Sequence, residues 1–323
     1  MRRLVVGRLL QSVVVVFLVT TISFFLIRLA PGDPFSYEGS AWNLSPAVRA
    51  QLRAQFGYDR PMPEQYVRYL ANVARGHLGY SHYLQRPVGD VIAEALPRTL
   101  LLMAVAIALS FALGVTVGAL QAVRRGGLLD RALSSVLLLF YSVPDFWLAL
   151  MVMLAFAYWI PLFPASGVVD PVMHEYMSFG GRMLDRLRHL VLPSLTLTLL
   201  AAAGIARYQR AALLDVLPQD FVRTARAKGL GERSVVLRHA LRNALLPVIT
   251  LLGLFLPALL GGAFFVEKVF AWQGMGYVAA NAINSRDYDV VTGAVLVGGF
   301  MVTLGSLVAD ILYAVADPRL RSR

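Results

Sequence analysis

Runs of about 20 predominantly apolar residues recur along this chain, and they restrict its fold more than any other feature. Inside a bilayer every backbone N–H and C=O group must be satisfied within the protein, which favours helices for such runs. Hydrophobic residues make up 58% of the 323 residues and charged residues only 15%, so soluble domains fit poorly. The sequence therefore predicts an all-α membrane protein with six transmembrane helices, at about 9–29, 98–123, 132–160, 190–205, 246–266 and 290–313.

Basic residues set the predicted orientation of these helices. The net charge is +11, and the Lys and Arg residues are concentrated in short segments between alternate apolar runs. Because cytoplasmic loops are enriched in Lys and Arg, both termini are predicted to be cytoplasmic. The first apolar run is too long for a signal peptide and no cleavage site follows it, so it is predicted to be retained. Topology thus explains the positive charge, and no nucleic-acid partner is expected.

Two features organise the first third of the chain. The polar segment 31–96 begins with the turn-forming Pro31–Pro34 and has helical patterning at 48–56 and 65–74, which predicts a small extracytoplasmic helical insertion. In the second predicted span, Ser110, Gly114 and Gly118 recur at intervals of four residues. Small residues at this spacing allow close helix packing in a bilayer. We expect that packing within the chain, with a subunit interface as the alternative.

A strongly basic segment, Phe221 to Ile249, separates the fourth and fifth predicted spans. Good helix formers surround Gly229 and Gly231, so the segment predicts two short helices, about 218–228 and 232–245, joined by a tight turn. Gly229 is expected to take the left-handed conformation that ends a helix. A cytoplasmic loop that only fixes topology would account for the same residues.

The letters of this segment resemble the EAA loop of ABC-importer permeases, and more closely its dipeptide and oligopeptide branch. The sequence reads RTARAKGL from Arg223 and RHALRNALLP from Arg238, and the resemblance extends to LAPGDP, FGYDRP and GHLGYS in the first third. The Glu and Pro of the general pattern are missing. Two further departures are Gln273 and Asp289, at positions where similar permeases commonly have proline.

The resemblance implies a type I ABC-importer permease fold in a bacterial inner membrane. Its parts would be an N-terminal helix (1–30), the insertion (31–96), a core (97–317) with coupling helices at 213–245, and a basic cytoplasmic tail (318–323). Implied partners are a second related permease, two ATPase subunits that hold ATP and magnesium, and an external substrate-binding protein. The chain itself would bind no cofactor and would move substrate by alternating access.

The resemblance also implies an ATPase-coupling site on the basic segment. Thr224, Ala225 and Gly229 would form the docking contact, and the flanking arginines would meet acidic edges of the ATPase. The full predicted site consists of Arg223, Thr224, Ala225, Arg226, Lys228, Gly229, Leu230, Arg238 and His239.

Helix breakers and one acid mark a predicted translocation path. Pro144 should kink the third span, Tyr141 and Asp145 flank it, and Pro257 lies in a fifth span that is rich in Pro and Gly. An acid in an apolar run usually faces a cavity or a partner. Asp145 could equally lie at the membrane boundary or pair with a neighbouring helix. The breakers of the fifth span are expected to leave exposed backbone that lines a cavity or packs on protein.

Several kinds of chemistry are missing from the sequence. It has no phosphate-binding G-x-x-x-x-G-K-[ST] loop, no Cys and no H-E-x-x-H pair, so a membrane enzyme is a poor interpretation. A secondary transporter using Asp145 or Asp310, or a membrane scaffold, remains as an alternative. The sequence does not distinguish dipeptides, longer peptides, nickel chelates and glutathione as substrates, or homodimeric from heterodimeric permease pairing.

Overall fold

The computed structural model describes residues 2–29, 45–55 and 57–316, which are mostly helical, as predicted. The α-helices are α1 (Arg2–Leu29), α2 (Pro46–Gln55), α3 (Met62–Ala74), α4 (Val88–Val123), α5 (Leu128–Ser142), α6 (Asp145–Met153), α7 (Phe179–Val216), α8 (Asp220–Ala227), α9 (Glu232–Ser234), α10 (Leu241–Val269), α11 (Met275–Asn284) and α12 (Tyr288–Ala316). An antiparallel hairpin of β1 (Tyr80–Ser81) and β2 (Arg86–Pro87) precedes α4. The predicted turn at Pro31–Pro34 and the predicted tail 318–323 lie outside the described residues.

Four helical stretches in the described ranges are long and apolar enough to cross a membrane. They are Leu10–Leu29, Val88–Val123, Phe179–Val216 and Tyr288–Val308. The pair Leu128–Ser142 and Asp145–Trp159, which meet at 109°, would add a fifth if it crosses as one bent span. The fifth predicted span lies in α10, which is 29 residues long. The count of six spans stays a prediction.

The structure corrects several helix boundaries. α4 begins at Val88, before the predicted start at 98, so the end of the predicted insertion belongs to this helix. α7 begins at Phe179, in a stretch predicted as loop, because the Ser178 hydroxyl caps it by accepting from Gly181 N at 3.3 Å. α10 is helical through Pro247 and the predicted path residue Pro257, so these prolines do not interrupt the helix.

The bend between α5 and α6 is sharper than the predicted kink. Val143 and Pro144 are both extended, with φ and ψ of −87° and 137° and of −62° and 142°. The residue before a proline is pushed out of the helical region by contact with the proline ring, so the helix stops at Ser142 and restarts at Asp145. A six-residue π-helix, Leu154–Trp159, follows α6.

Two compact units share the chain, and the first, the core unit, contains Leu100–Trp272. Its larger hydrophobic cluster joins α4, α6, α7 and α10 through residues that include Leu102, Ala149, Leu197 and Val266. Phe146 and Phe265 also meet, with their ring centroids 6.4 Å apart. A second cluster lies beside the basic segment.

Close packing of α4 on α7 confirms the expectation for the small residues of the second span. A Cβ added to Gly114 would lie 2.7 Å from Ile205 Cβ, and one added to Gly118 would overlap the carbonyl oxygen of Ala206. Only glycine leaves room for the two backbones at these positions. The contact is within the chain.

The second unit, called the N-terminal unit, comprises Val6–Thr99 and Gln273–Thr303. It is larger than the predicted insertion, because α1, α11 and the start of α12 belong to it. Phe24 of α1 is buried and stacks on Tyr69 of α3, with 5.2 Å between the ring centroids. The hairpin is fixed to the start of α12 because the Asp287 carboxylate accepts hydrogen bonds from Ser81 Oγ at 2.5 Å and Tyr83 N at 3.3 Å.

Candidate coupling site

The first helix of the basic segment, α8, is short and amphipathic. Asp220 lies in its first turn and Arg226 in its last, as the helix dipole favours. Val222 and Ala225, three residues apart, are buried at 0% and 5% exposure. They pack in the second core-unit cluster with residues that include Ala122 of α4 and Leu213 of α7. α8 is therefore held by its apolar face, while its basic residues point outward.

The turn after α8 has the predicted geometry. Gly229 has φ +74°, which confirms the expected left-handed conformation. Its N–H donates to Arg226 O at 2.9 Å, and Leu230 N donates to Ala225 O at 3.4 Å, so the last helical carbonyls are satisfied. A Cβ added to Gly229 would meet no atom within 4 Å. Glycine is therefore required at position 229 by the backbone conformation and not by crowding within the chain.

The second helix starts where it was predicted but does not end there. Gly231 is extended, α9 begins at Glu232, and a π-helical turn, Val235–Ala240, leads directly into α10. The sequence predicted a separate helix ending near 245, and this is wrong. Buried Val235 and Ala240 pack in the same cluster as α8. The basic segment is therefore continuous with the helix that contains the fifth predicted span.

A bidentate ion pair closes the turn between α8 and α9. Arg226 Nη2 lies 2.7 Å from Glu232 Oε1, and Arg226 Nε lies 3.1 Å from Glu232 Oε2. Hydrogen bonding from the guanidinium lowers the pKa of the Glu232 carboxyl, so the pair is charged at neutral pH. Arg226 was predicted to meet an acidic partner on the ATPase, but in this structure its charge is matched within the chain.

The outward surface of this segment combines basic and apolar side chains. Thr224, Arg223, Lys228 and Arg238 are exposed, as the predicted docking role requires. Exposed apolar residues lie among them, with Phe221 at 39%, Leu230 at 41% and Leu237 at 52%. An apolar patch with a charged rim is typical of a protein-binding surface. We call these seven residues the coupling surface.

Two predicted docking residues are placed differently. The side chain of Ala225 is buried on the inner face of α8, where it faces the hydrophobic cluster. It therefore cannot form the docking contact. Its small size instead allows α8 to lie close to its neighbours. His239 is half-buried in the π-helical turn, and its carbonyl accepts from Asn243 Nδ2 at 2.9 Å. Neither residue belongs to the coupling surface.

An ion pair that the sequence did not reveal lies in the same unit. Buried Asp130, at the start of α5, accepts from Arg210 Nε and Nη2 of α7, both at 2.9 Å, and from Gly126 N at 2.9 Å. The partners are far apart in sequence, and no local pattern connects them. The one signal of this ion pair in the sequence was the position of Asp130 close to the basic residues Arg124 and Arg125. The pair fixes the start of α5 to α7.

Three of the four predicted path residues lie at the α5–α6 break. Tyr141 lies in the last turn of α5 and is 57% exposed, and the guanidinium of Arg207 lies 4.7 Å from the centroid of its ring. Asp145 is half-buried in the first turn of α6, where a carboxylate is favoured by the helix dipole. The sequence analysis missed Arg207. Pro257 lies on α10.

No group of three His, Asp or Glu side chains in the described ranges is placed to hold a metal ion. The predicted coupling residues that are exposed lie on elements whose inner faces pack in a buried cluster. These elements are α8 and the π-helical start of α10, with the Gly229 turn between them.

Comparison with known proteins identifies the chain's relatives. The family described as binding-protein-dependent transport system inner membrane component matches residues 114–322, and its N-terminal counterpart matches residues 1–103. The oligopeptide transport system permease protein AppB of Bacillus subtilis (strain 168) is 36% identical, covering 98% of each chain. The di/tripeptide transport system permease protein DppB of Pseudomonas aeruginosa (strain UCBPP-PA14) is 39% identical, covering 94% of each. The dipeptide transport system permease protein DppB of Escherichia coli (strain K12) is 37% identical, also covering 94% of each. With a family match over most of its length and full-length relatives of this similarity, the chain belongs to the family of binding-protein-dependent transport system inner membrane components, which are transport subunits and not enzymes.

Proposed function

We propose that this chain is the permease subunit of an ATP-driven importer that carries peptides across the bacterial inner membrane. The relatives named above are permeases for dipeptides, di- and tripeptides or oligopeptides, and they match this chain over almost its whole length. Peptides delivered by an external binding protein are therefore the substrates that we assign. ATP and magnesium belong to separate ATPase subunits.

The observation that carries this proposal is the connection between the coupling surface and α10. The surface lies on helices whose inner faces are buried in one cluster, and the π-helical turn passes directly into α10. A push on α8 is therefore transmitted through packed side chains and continuous helix into a membrane span. The ATPase would dock here and drive alternating access. A loop that only fixed topology would not need this buried support.

Six spans with both termini inside complete the proposed topology. α1, α4, the bent pair α5–α6, α7, α10 and α12 supply the spans, and the coupling surface lies in the cytoplasm. The segment between α1 and α4 lies outside, where the binding protein docks. The basic loop at Arg124 and Arg125 and the coupling surface are on the same side, as the distribution of Lys and Arg favours.

The proposed path lies at the interface with a second, related permease. This chain would contribute Tyr141, Pro144 and Asp145, at the break between α5 and α6, and Pro257 of α10 to the path. Arg207 adds a cation beside Tyr141. Exposed Leu138 and Leu139 of α5, at 63% and 60%, need a covering of lipid or of the second permease. A heterodimer of permeases with two ATPases is the assembly that we propose.

Transport by reconstituted vesicles tests this proposal. The chain, its partner permease and the ATPases are placed in vesicles with the binding protein outside, and uptake of labelled dialanine is measured. Uptake should require ATP and magnesium on the ATPase side and should cease when the ATPases are omitted. Uptake by this chain alone, driven by a proton or sodium gradient, would favour a secondary transporter and contradict the proposal.

A further inference from the structure

A cavity of about 230 Å³ with both polar and apolar walls lies within the N-terminal unit. It is enclosed by the end of α1, by α3, and by the chain from His77 to Gly79. Its wall includes Arg28, Tyr58, Tyr69, Asn72, His77 and Asp289. Neither the proposed transport function nor the relatives' names assign a role to it.

Arg28 is held in this cavity by its flat faces. Its guanidinium carbon lies 4.1 Å from the ring centroid of Tyr58 and 5.4 Å from that of Phe24. Stacking fixes a guanidinium but leaves the N–H groups at its edge able to donate. Within the part of the chain that the structure describes, no carboxylate lies within 4 Å of Arg28 to accept from them. The cavity therefore presents a positioned and unpaired cation.

Asp289, at the start of α12, adds an acidic side chain to the cavity wall. Its Oδ2 accepts one hydrogen bond, from Tyr80 N at 3.2 Å. Gly79, with φ +95°, makes room for it, since a Cβ at that position would lie 2.5 Å from Oδ2. No Lys, Arg or His nitrogen of the described residues comes within 4 Å of the Asp289 carboxylate. A guanidinium and a carboxyl group thus line one cavity without forming an ion pair with each other.

Two further arginines of the wall face a single carboxylate. Glu64 Oε1 lies 2.5 Å from Arg60 Nη1 and 3.1 Å from Arg68 Nη2, so one negative charge is shared by two positive charges. Gln65 also lines the cavity, and its buried Oε1 has no hydrogen-bond partner in the described structure. A simple anion would complement the arginines of the wall but would leave Asp289 without a cationic partner.

We infer that this cavity is a binding site for a small zwitterion of the amino acid or dipeptide class. The carboxylate of the ligand would accept from the edge of Arg28, and its ammonium group would donate to Asp289. Pockets for drug-sized ligands usually measure roughly 300–1,000 Å³, so a cavity of 230 Å³ suits a smaller molecule. Its position outside the membrane rests on the proposed topology, but binding to it does not depend on transport.

Isothermal titration of the intact chain in lipid nanodiscs, without ATPases, tests this inference. The probes are L-alanyl-L-alanine, its N-acetyl derivative, which lacks the ammonium group, its amide, which lacks the carboxylate, and inorganic phosphate. Dialanine should bind at least tenfold more tightly than the other three. Equal binding of phosphate or of the N-acetyl derivative, or no heat from dialanine at millimolar concentration, would overturn the inference.

Variants locate the bound probe. Asp289→Asn keeps an acceptor for Tyr80 N, and it should weaken dialanine binding at least tenfold while leaving the N-acetyl derivative unchanged. Arg28→Gln should weaken both. Glu94→Gln is the matched control, because Glu94 pairs with Arg86 at 2.9 Å in the same unit but does not line the cavity. Unchanged dialanine binding in both cavity variants would place the probe elsewhere and refute the site, whereas failure of ATP-driven uptake would refute only the proposed function.

Discussion

The guanidinium of Arg226 and the carboxylate of Glu232 face each other across the Gly229 turn, joined by hydrogen bonds of 2.7 and 3.1 Å. This pair links the end of α8 to the start of α9 and thereby fixes the shape of the coupling surface. It also means that Arg226, the central cation of the segment, has a partner before any ATPase docks.

Exchanging the charges of Arg226 and Glu232 tests whether Arg226 acts through its ion pair within the chain or through direct contact with the ATPase. Both side chains are about half exposed, so the pair should contribute roughly 0–1 kcal/mol to stability. Arg226→Glu should reduce ATPase co-purification because two carboxylates then repel across the turn, and adding Glu232→Arg should restore it. Persistent loss in the exchanged double variant would show that the ATPase itself contacts the positive charge at 226.

The same pair should be insensitive to pH near neutrality. Arg226 lowers the pKa of Glu232, so the stabilisation is fully present above the ordinary glutamate pKa. It is lost only as the pH falls through the lowered value. Hydrogen exchange at the Gly229 turn, corrected for intrinsic rates, should therefore not change between pH 6 and 8. Protection that rises or falls in this interval would assign the control of the turn to another group.

Loss of the Asp130 carboxylate should loosen the attachment of α5 to α7. Asp130→Asn removes the buried carboxylate that accepts two charge-assisted hydrogen bonds from the partly exposed Arg210. We expect a lower apparent melting temperature in detergent and weaker pairing with the second permease. Arg131→Gln, the exposed neighbour, is the control and should melt like the unaltered chain. Equal melting of both variants would show that the pair contributes nothing measurable.

Glycine packing between α4 and α7 can be tested against a glycine in open surroundings. Alanine raises intrinsic helix stability by about 1 kcal/mol over glycine in any helix interior. A Cβ at Gly298 of α12 meets nothing within 4 Å, so Gly298→Ala should be neutral or stabilising. Gly118→Ala should be destabilising despite the same propensity gain, because the Cβ overlaps Ala206 O. Thermal melts of the two variants give opposite signs if the packing is as described.

Labelling of single cysteines tests the proposed orientation in this chain without native cysteine. Arg223→Cys and Tyr176→Cys both replace exposed side chains, on the coupling surface and in the segment before α7. An impermeant thiol reagent added to intact cells should label position 176 and not 223. Both should react after the cells are permeabilised, which controls for access. Labelling at 223 in intact cells would reverse the topology.

Local sequence chemistry was enough to predict parts of the fold. The Gly229 turn was predictable because a glycine that follows good helix formers usually ends the helix. The spacing of the small residues in α4 predicted which face of that helix packs closely on another helix. The burial of Ala225 was also visible in principle, since Val222 and Ala225 are three residues apart on one face of α8. The resemblance to a docking motif suggested exposure instead.

Contacts between distant residues could not be predicted in this way. Asp130 and Arg210 come together only because α5 and α7 pack side by side. Gln273 and Asp289 were noted as departures at two turns, but their partners, Arg98 and Tyr80, were not foreseeable. The path from α8 into α10 was missed for another reason. A π-helical turn has no strong sequence signature, and the helix predicted over 232–245 was expected to end before the apolar span.

The Gly229 turn gives the sharpest test of coupling, because Gly231 offers the same substitution two residues away. A side chain at φ +74° is strained by about 1–2 kcal/mol, whereas Gly231, at φ −59° and ψ 142°, accepts any residue. Neither position has an atom within 4 Å of an added Cβ, so crowding within the chain is equal. Gly229→Val should leave insertion and permease pairing near normal but reduce ATPase binding and peptide uptake severalfold.

Two controls make this result specific to the backbone. Gly231→Val should retain most uptake, and Gly229→Asn should recover part of it, since asparagine tolerates the left-handed conformation. Co-purification of the ATPases and uptake in vesicles are measured for all three variants. If Gly229→Val transports fully, the turn does not transmit force and the basic segment only fixes topology. If Gly231→Val is equally defective, side-chain volume at the docked surface matters more than the shape of the turn.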